Sequence, residues 1–194
     1  MRLVVGISGA SGAIYGVRAL EILEGLDVEV HLVLTDAAKE TIRLETGYSV
    51  RKVEALATEV HAIGDIASKL SSGSFRTDGM VVIPCSMKTL SGIASGYADN
   101  LLIRAAGVTL KERRILVLVV RETPLTLIDI ENMARAARAG ATILPAMPAF
   151  YNRPKTVGEL VEQVAGRALE HLGVEHDALK RWNGRDSMRR SKRG

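Results

Sequence analysis

The chain has 194 residues, 47% of them apolar and 25% charged, which suits a single domain with a buried core. No apolar run approaches the ~20 residues that span a bilayer, and the N-terminus enters a strand pattern directly, so neither a membrane segment nor a signal peptide is expected. The net charge of +4 would suggest nucleic acid, but seven basic residues crowd positions 180–194 against the single acid Asp186, leaving a slightly acidic body; neither nucleic acid nor a membrane is an expected partner.

In chain order, RLVVGI (2–7) reads as a buried strand and AIYGVRALEILEGL (13–26) as a helix with apolar residues at helical spacing. VEVHLVLT (28–35) alternates as a strand, and DAAKETIRLET (36–46) follows as a helix. The stretch 49–72 is less regular, with short helical pieces expected at 53–58 and 66–70. GMVVIPC (79–85) is β-rich; SMKTLSGIASG and ADNLLIRAAGVTLKE read as helices. RILVLVV (114–120) is wholly apolar except for its arginine, as strands covered on both faces are. A helix ending at Gly140, a strand in ATILPAM (141–147) and an amphipathic helix over 156–172 complete the series. Such alternation predicts a three-layer, doubly wound parallel sheet of Rossmann-like, flavodoxin-like type, with ligands beyond the carboxyl ends of its strands.

Those ends hold the polar chemistry. After the first strand, Gly6, Gly9 and Gly12 are spaced G-x-x-G-x-x-G, which allows backbone N–H groups to approach an anion but matches neither the dinucleotide fingerprint nor a P-loop. By itself the loop fits tight strand–helix packing equally well. Thr35 reads first as a helix N-cap. Ser86 and Thr89 bracket Lys88 at the start of a helix rich in small residues, which suits an anion and a flat ring. Arg121 and Glu122 emerge from an apolar strand, as a structural ion pair or as a phosphate-binding arginine beside an acid. Arg104, Lys111, Arg167 and Tyr151 could join them only if the fold or an oligomer brings them together. Cys85 reads as a packing residue; a lone cysteine excludes an internal disulfide and fits a cytoplasmic location. His31, His61, His171 and His176 lack the sequence spacing of a metal motif, and no aspartate-rich motif suggests a magnesium-held diphosphate.

The segments GISGASGAIYG, LETGYS, GSFRTDGMVVIPCSMKTLSGIASGYADNLLIRAA, LKERR, VRETPL and PAMPAFYNRPKT follow one another as in the UbiX-type flavin prenyltransferases, within the superfamily of homo-oligomeric flavin-containing cysteine decarboxylases. The chain resembles that family from residue 6 to about 156. The resemblance implies a flavoprotein domain over 1–176 with a basic tail over 177–194, and a homododecamer built from trimers, with active sites at subunit interfaces. It implies transfer of a dimethylallyl group from dimethylallyl monophosphate to reduced FMN, at N5 and C6, without a metal. The product, prenylated FMN, would serve a UbiD-type decarboxylase, in many bacteria for ubiquinone synthesis. Carried over by motif, Gly9, Ala10, Ser11, Thr35, Ser86, Met87, Lys88, Thr89 and Arg121 would bind FMN. Arg104, Lys111, Glu122, Tyr151 and Arg167 would bind the prenyl phosphate, Arg167 being the least securely placed. Ser11, Glu45 and Glu122 would be catalytic: Glu45 and Ser11 handling a proton during ring closure, Glu122 protonating the departing phosphate if burial and the neighbouring anion favour its acid form. Flavin-dependent cysteine decarboxylases are the nearest rivals, but PCSMKT and PAMPAF stand where those enzymes carry key asparagines. A non-catalytic FMN carrier would have no need of Glu45, Lys111, Glu122 and Tyr151 together.

Overall fold

The computed structural model describes residues 1–179 and 181–182. Its strands are β1 (Arg2–Ile7), β2 (Glu29–Leu34), β3 (Glu59–His61), β4 (Gly79–Cys85), β5 (Ile115–Val120) and β6 (Thr142–Ile143). They form one all-parallel sheet in the order β3-β2-β1-β4-β5-β6. Without the three-residue edge strand β3, the order is that of flavodoxin; with it, that of the Rossmann fold. β4 is buried along its whole length, and β5 from Leu116 onward, which is why their sequences are continuous apolar runs.

The helices are α1 (Ala13–Glu24), α2 (Asp36–Glu45), α3 (Val50–Glu54), α4 (Met87–Ser95), α5 (Leu101–Lys111), α6 (Leu127–Arg138) and α7 (Val157–Glu170). α1, α2, α3 and α7 cover one face of the sheet, around Leu3, Val5, Ile7, Leu32, Val81 and Val119. α4, α5 and α6 cover the other, around Val4, Val33, Met80, Val82 and Leu118. Period-2 alternation in β1 and β4 divides their side chains between the two cores. Side-chain caps start most helices: Thr35 for α2, Ser86 for α4, Asn100 for α5, Thr156 for α7, and Thr126 with a reciprocal Asp129 bond for α6. Among the described residues, no helix is long and apolar enough to cross a membrane.

Two segments differ from the sequence expectation. In 49–72 the helical piece falls at Val50–Glu54, a single 3-10 turn occupies Lys69–Ser71, and Glu59–His61 is a strand that was not anticipated. The last strand is only Thr142–Ile143, because the chain turns at Pro145 into an irregular loop.

α1 after β1 and α4 after β4 lie on opposite faces, although β1 and β4 are neighbours. A crevice therefore opens between these two strand ends. Ser8, fully buried, closes the crevice floor: its Oγ donates to Pro84 O (2.9 Å) and accepts from Ser86 N–H (2.8 Å), while its own N–H also reaches Pro84 O. Removing this hydroxyl leaves the Ser86 N–H without that acceptor. Ser8→Ala should lower unfolding stability by about 1–3 kcal/mol, read as a lower urea midpoint with an unchanged slope.

Candidate active site

At the crevice, the loop after β1 passes close to α2. A Cβ added at Gly9 would stand 2.2 Å from the Cβ of Ala37, so this approach tolerates no side chain. Gly12 has φ 96°, the left-handed region, and serves as the cap position of α1 without any side-chain cap. Its N–H instead donates to Glu45 Oε2 at 2.7 Å, from the last residue of α2. No partner exists for the N–H groups of Ser11 and Ala13 among the described residues, so donors at the start of α1 stay open. The glycine loop therefore packs tightly against α2 and also presents unpaired amides.

The other rim comes from the start of α4. Ser86 Oγ accepts from Thr89 N–H (3.3 Å) and donates to Thr89 Oγ1 (3.2 Å); Thr35 Oγ1 accepts from Ala38 N–H (3.0 Å). Both hydroxyls are spent on caps in this state. Met87 and Arg121 are half-buried, Lys88 and Ser11 exposed. Among the described residues neither Lys88 nor the Arg121 side chain has an ion-pair or hydrogen-bond partner. Arg121 and Glu122 are therefore not a structural pair: the Glu122 carboxylate instead accepts from Thr123 N–H at 3.0 Å and is exposed. Burial pushes the Cys85 thiol up to about 12, which makes it a packing residue as expected.

A second feature lies along the segment after β6, which runs beside the end of β5 through Ala146 N–H to Val120 O. Here a cavity of about 690 Å³ is lined by Pro145, Met147, Tyr151, Gln163, Arg167 and Trp182, among others. The rings of Tyr151 and Trp182 meet edge-on at 5.6 Å between centroids. Gln163 is buried; its Oε1 accepts from Ala149 N–H (2.5 Å), which fixes the amide so that Nε2 is left without a partner. Arg167 and Arg181 both bond Glu170, at 2.8 and 3.0 Å. Burial alone would raise the Glu170 carboxyl, but the two guanidinium bonds more than offset it, and its pKa lies below the ordinary carboxylate value.

Tyr151 and Arg167 thus come together, whereas Arg104 and Lys111 do not join them. Both sit on α5, across the sheet from α7: the Arg104 guanidinium donates to Ser71 O (3.0 and 3.2 Å), and Lys111 pairs with Glu112 at 2.8 Å. Gln163 and Trp182 escaped the sequence reading. Gln163 looked like one polar position on a helix, and Trp182 stood within the basic tail over 177–194. The rest of that tail, 180 and 183–194, lies outside the described residues.

The Flavoprotein family model matches residues 1–169. The Escherichia coli K12 protein described as flavin prenyltransferase UbiX is 54% identical over 186 residues, covering 94% of this chain and 98% of its own. A crystal structure described as AnUbiX (PadA1) in complex with FMN and dimethylallyl pyrophosphate superposes with a TM-score of 0.93 at 50% identity, covering 94% of this chain and 97% of its own. A dodecameric FMN-dependent UbiX-like decarboxylase from E. coli O157:H7 superposes equally well at 55% identity, covering 95% and 100%.

Because the Glu170 pKa is lowered by folding, its contacts stabilise the docked 181–182 segment above the ordinary carboxylate range and cease to do so as pH falls through the folded value. Trp182 is the only tryptophan in the chain and reports this docking. Its emission should stay constant at neutral pH and shift red in acid. Glu170→Gln should produce the red shift and easier iodide quenching already at pH 7.

Proposed function

The chain belongs to the UbiX-type flavin prenyltransferases of the flavoprotein family, and on that premise we propose that it transfers a dimethylallyl group from dimethylallyl monophosphate to the N5 and C6 positions of reduced FMN, with no metal in the reaction. The observation that supports this reading is that two separate openings at the carboxyl edge of the sheet are lined by groups that attract anions. One is the β1/β4 crevice, with open amides and two unpaired cations, Lys88 and Arg121. The other is the cavity beside it, lined by Tyr151, Arg167 and an unpartnered Gln163 amide. Joining two phosphorylated substrates requires two such places.

The donor set fits FMN. Gly9, Ala10 and Ser11 would meet it from the glycine loop and Thr35 from the second strand end. Ser86, Met87, Lys88, Thr89 and Arg121 would meet it from the opposite rim, where amides and cations favour an anion. Reduced flavin, once bound, supplies the electron-rich ring that accepts the prenyl group. The protein's own task is to neutralise and protonate the departing phosphate. Positioned arginine, lysine and tyrosine donors meet that demand without a metal ion. Glu122 would act as the acid. Glu45 holds Gly12 N–H with one carboxylate oxygen, leaving the other to handle a proton with Ser11. Trp182, set edge-on to Tyr151, would close the cavity over the prenyl chain.

Arg104 and Lys111 join this site from a second copy of the chain. They and Arg167 belong to helices covering opposite faces of one sheet, so no single subunit can bring them together. Exposed apolar side chains at Leu127, Ile128 and Ile130 of α6, and at Phe150, supply surface for such assembly, read here as a homododecamer. In this reading 1–176 is the flavoprotein domain, the start of the 177–194 tail covers the cavity, and the cytoplasmic product passes to a UbiD-type decarboxylase.

The test is anaerobic incubation with reduced FMN and dimethylallyl monophosphate, with chelator present, followed by mass spectrometry of the flavin. Gain of one C5 prenyl unit is expected; unmodified, tightly bound FMN would favour a carrier or a decarboxylase. Lys88→Ala should weaken FMN binding by about tenfold. Glu122→Gln should slow transfer by about 100-fold or more with FMN affinity intact; unchanged turnover removes Glu122 from the chemistry.

A further inference from the structure

Far from both anion-binding places, the edge strand β3 is joined to β2 by a buried polar chain. Glu29 Oε1 lies 2.9 Å from His31 Nε2; His31 Nδ1 lies 3.0 Å from His61 Nε2; and His61 Nδ1 lies 2.9 Å from Ser68 Oγ. His31 is wholly buried and His61 and Ser68 nearly so. Parallel pairing sets His31 opposite Glu59 and Val33 opposite His61, so β3 aims Glu59 and His61 at the same place. The Glu59 carboxylate stands 3.7 Å from the facing nitrogen of each imidazole.

We infer that His31 Nδ1, His61 Nε2 and Glu59 form a binding site for a divalent transition-metal ion of the zinc class, which clips β3 to the sheet. The two imidazole nitrogens lie 3.0 Å apart, each is 3.7 Å from a different oxygen of the Glu59 carboxylate, and one donor atom from each residue lies within 4.8 Å of the others, near the separation of about 3.3 Å that tetrahedral N and O ligands take around zinc. The outer ring nitrogens already have the partners that metal-bound imidazoles need, a carboxylate at Glu29 and a hydroxyl at Ser68. Where each ring carries one hydrogen and His61 Nε2 donates to His31, metal entry requires only that this hydrogen move to His61 Nδ1 and that the Ser68 hydroxyl turn from donor to acceptor. Glu59 is partly exposed, which provides the entry path and leaves a fourth position for water.

The Glu59 carboxylate also pairs with a side-chain cation. The Lys69 ammonium hydrogen-bonds Glu59 and lies 5.0 Å from the centroid of Phe75, whose ring also packs edge-on against His31. An entering metal ion displaces Lys69 from Glu59. The sequence separation of these groups carries no metal signature, because strand pairing and not chain proximity assembles them. The site does not depend on the prenyl-transfer reading, and it is not a cofactor of that reaction.

The experiment is calorimetric titration of chelator-stripped, full-length protein with Zn²⁺, with Co²⁺ as a spectroscopic probe. One Zn²⁺ per chain is expected, with a rise in Tm and the visible bands of four-coordinate Co²⁺. Ser68→Ala should weaken Zn²⁺ by about 10-fold or more, and Glu59→Gln and His61→Asn at least as much. Lys69→Ala should tighten binding, and His171→Ala, at an exposed position elsewhere, should leave it unchanged. Glu59 and Lys69 are surface positions, so their variants keep the test decisive even if His61→Asn does not fold. Absence of saturable Zn²⁺ uptake, or uptake with unchanged affinity in Glu59→Gln, overturns the inference.

Discussion

The Ser8 hydroxyl fixes the distance between the two loops on which the crevice depends. It is buried, and both of its hydrogen bonds end on the β4–α4 connection, at Pro84 O and Ser86 N–H. A buried hydroxyl bound on both sides in a low-dielectric core tolerates little displacement. It therefore sets the start of α1 beside the start of α4, one helix going to each face of the sheet. The open amides at the start of α1 and the exposed Lys88 at the start of α4 are thus carried on two connections tied together by that side chain. Most of the residues that the family resemblance would assign to FMN lie on these two connections, at 9–11 and 86–89.

Around the junction, the strand order decides what a single chain can and cannot assemble. The ends of β1, β2, β4 and β5 are neighbours, so Ser11, Thr35, Ser86 and Arg121 line one edge. Glu45 reaches that edge from the far end of α2 by capping Gly12, which couples the length of α2 to the shape of the glycine loop. The segment after β6 adds Tyr151 and α7 adds Arg167. α5 lies behind the sheet, and its cations point their hydrogen bonds toward Ser71 and Glu112 instead.

Legibility in the sequence followed the strength of the local physics. β4 and β5 were plain because strands hidden on both faces must be apolar throughout. The Thr35 hydroxyl at a helix start announced its cap, whereas the caps made by Ser86 and Thr156 emerged only in the structure. β3 stayed hidden because three residues, Glu-Val-His, are too short for a period to show, and its histidine was read without the strand pairing that brings its ring within 3.0 Å of His31. Gln163 was invisible for a related reason: only the tertiary bond to Ala149 N–H reveals which end of its amide is left unpaired. Trp182 was discounted with the charged tail around it, although its ring packs on Tyr151. The motifs named Tyr151, while Arg167, beyond the motif segments and less securely placed from the sequence, is brought to the same cavity by the packing of α7.

The placement of Arg104 and Lys111 across the sheet from Arg167 has a genetic consequence under the proposed assembly. If each site draws α5 from one copy and α7 from another, damage to the two halves segregates between subunits. A chain crippled at Lys111 and a chain crippled at Tyr151 would each be inactive alone. Co-assembled, they would form some sites in which both contributions come from undamaged segments. Two null alleles of this one gene would then complement each other in the same cell, and the fraction of activity restored would count the arrangements in which intact halves meet.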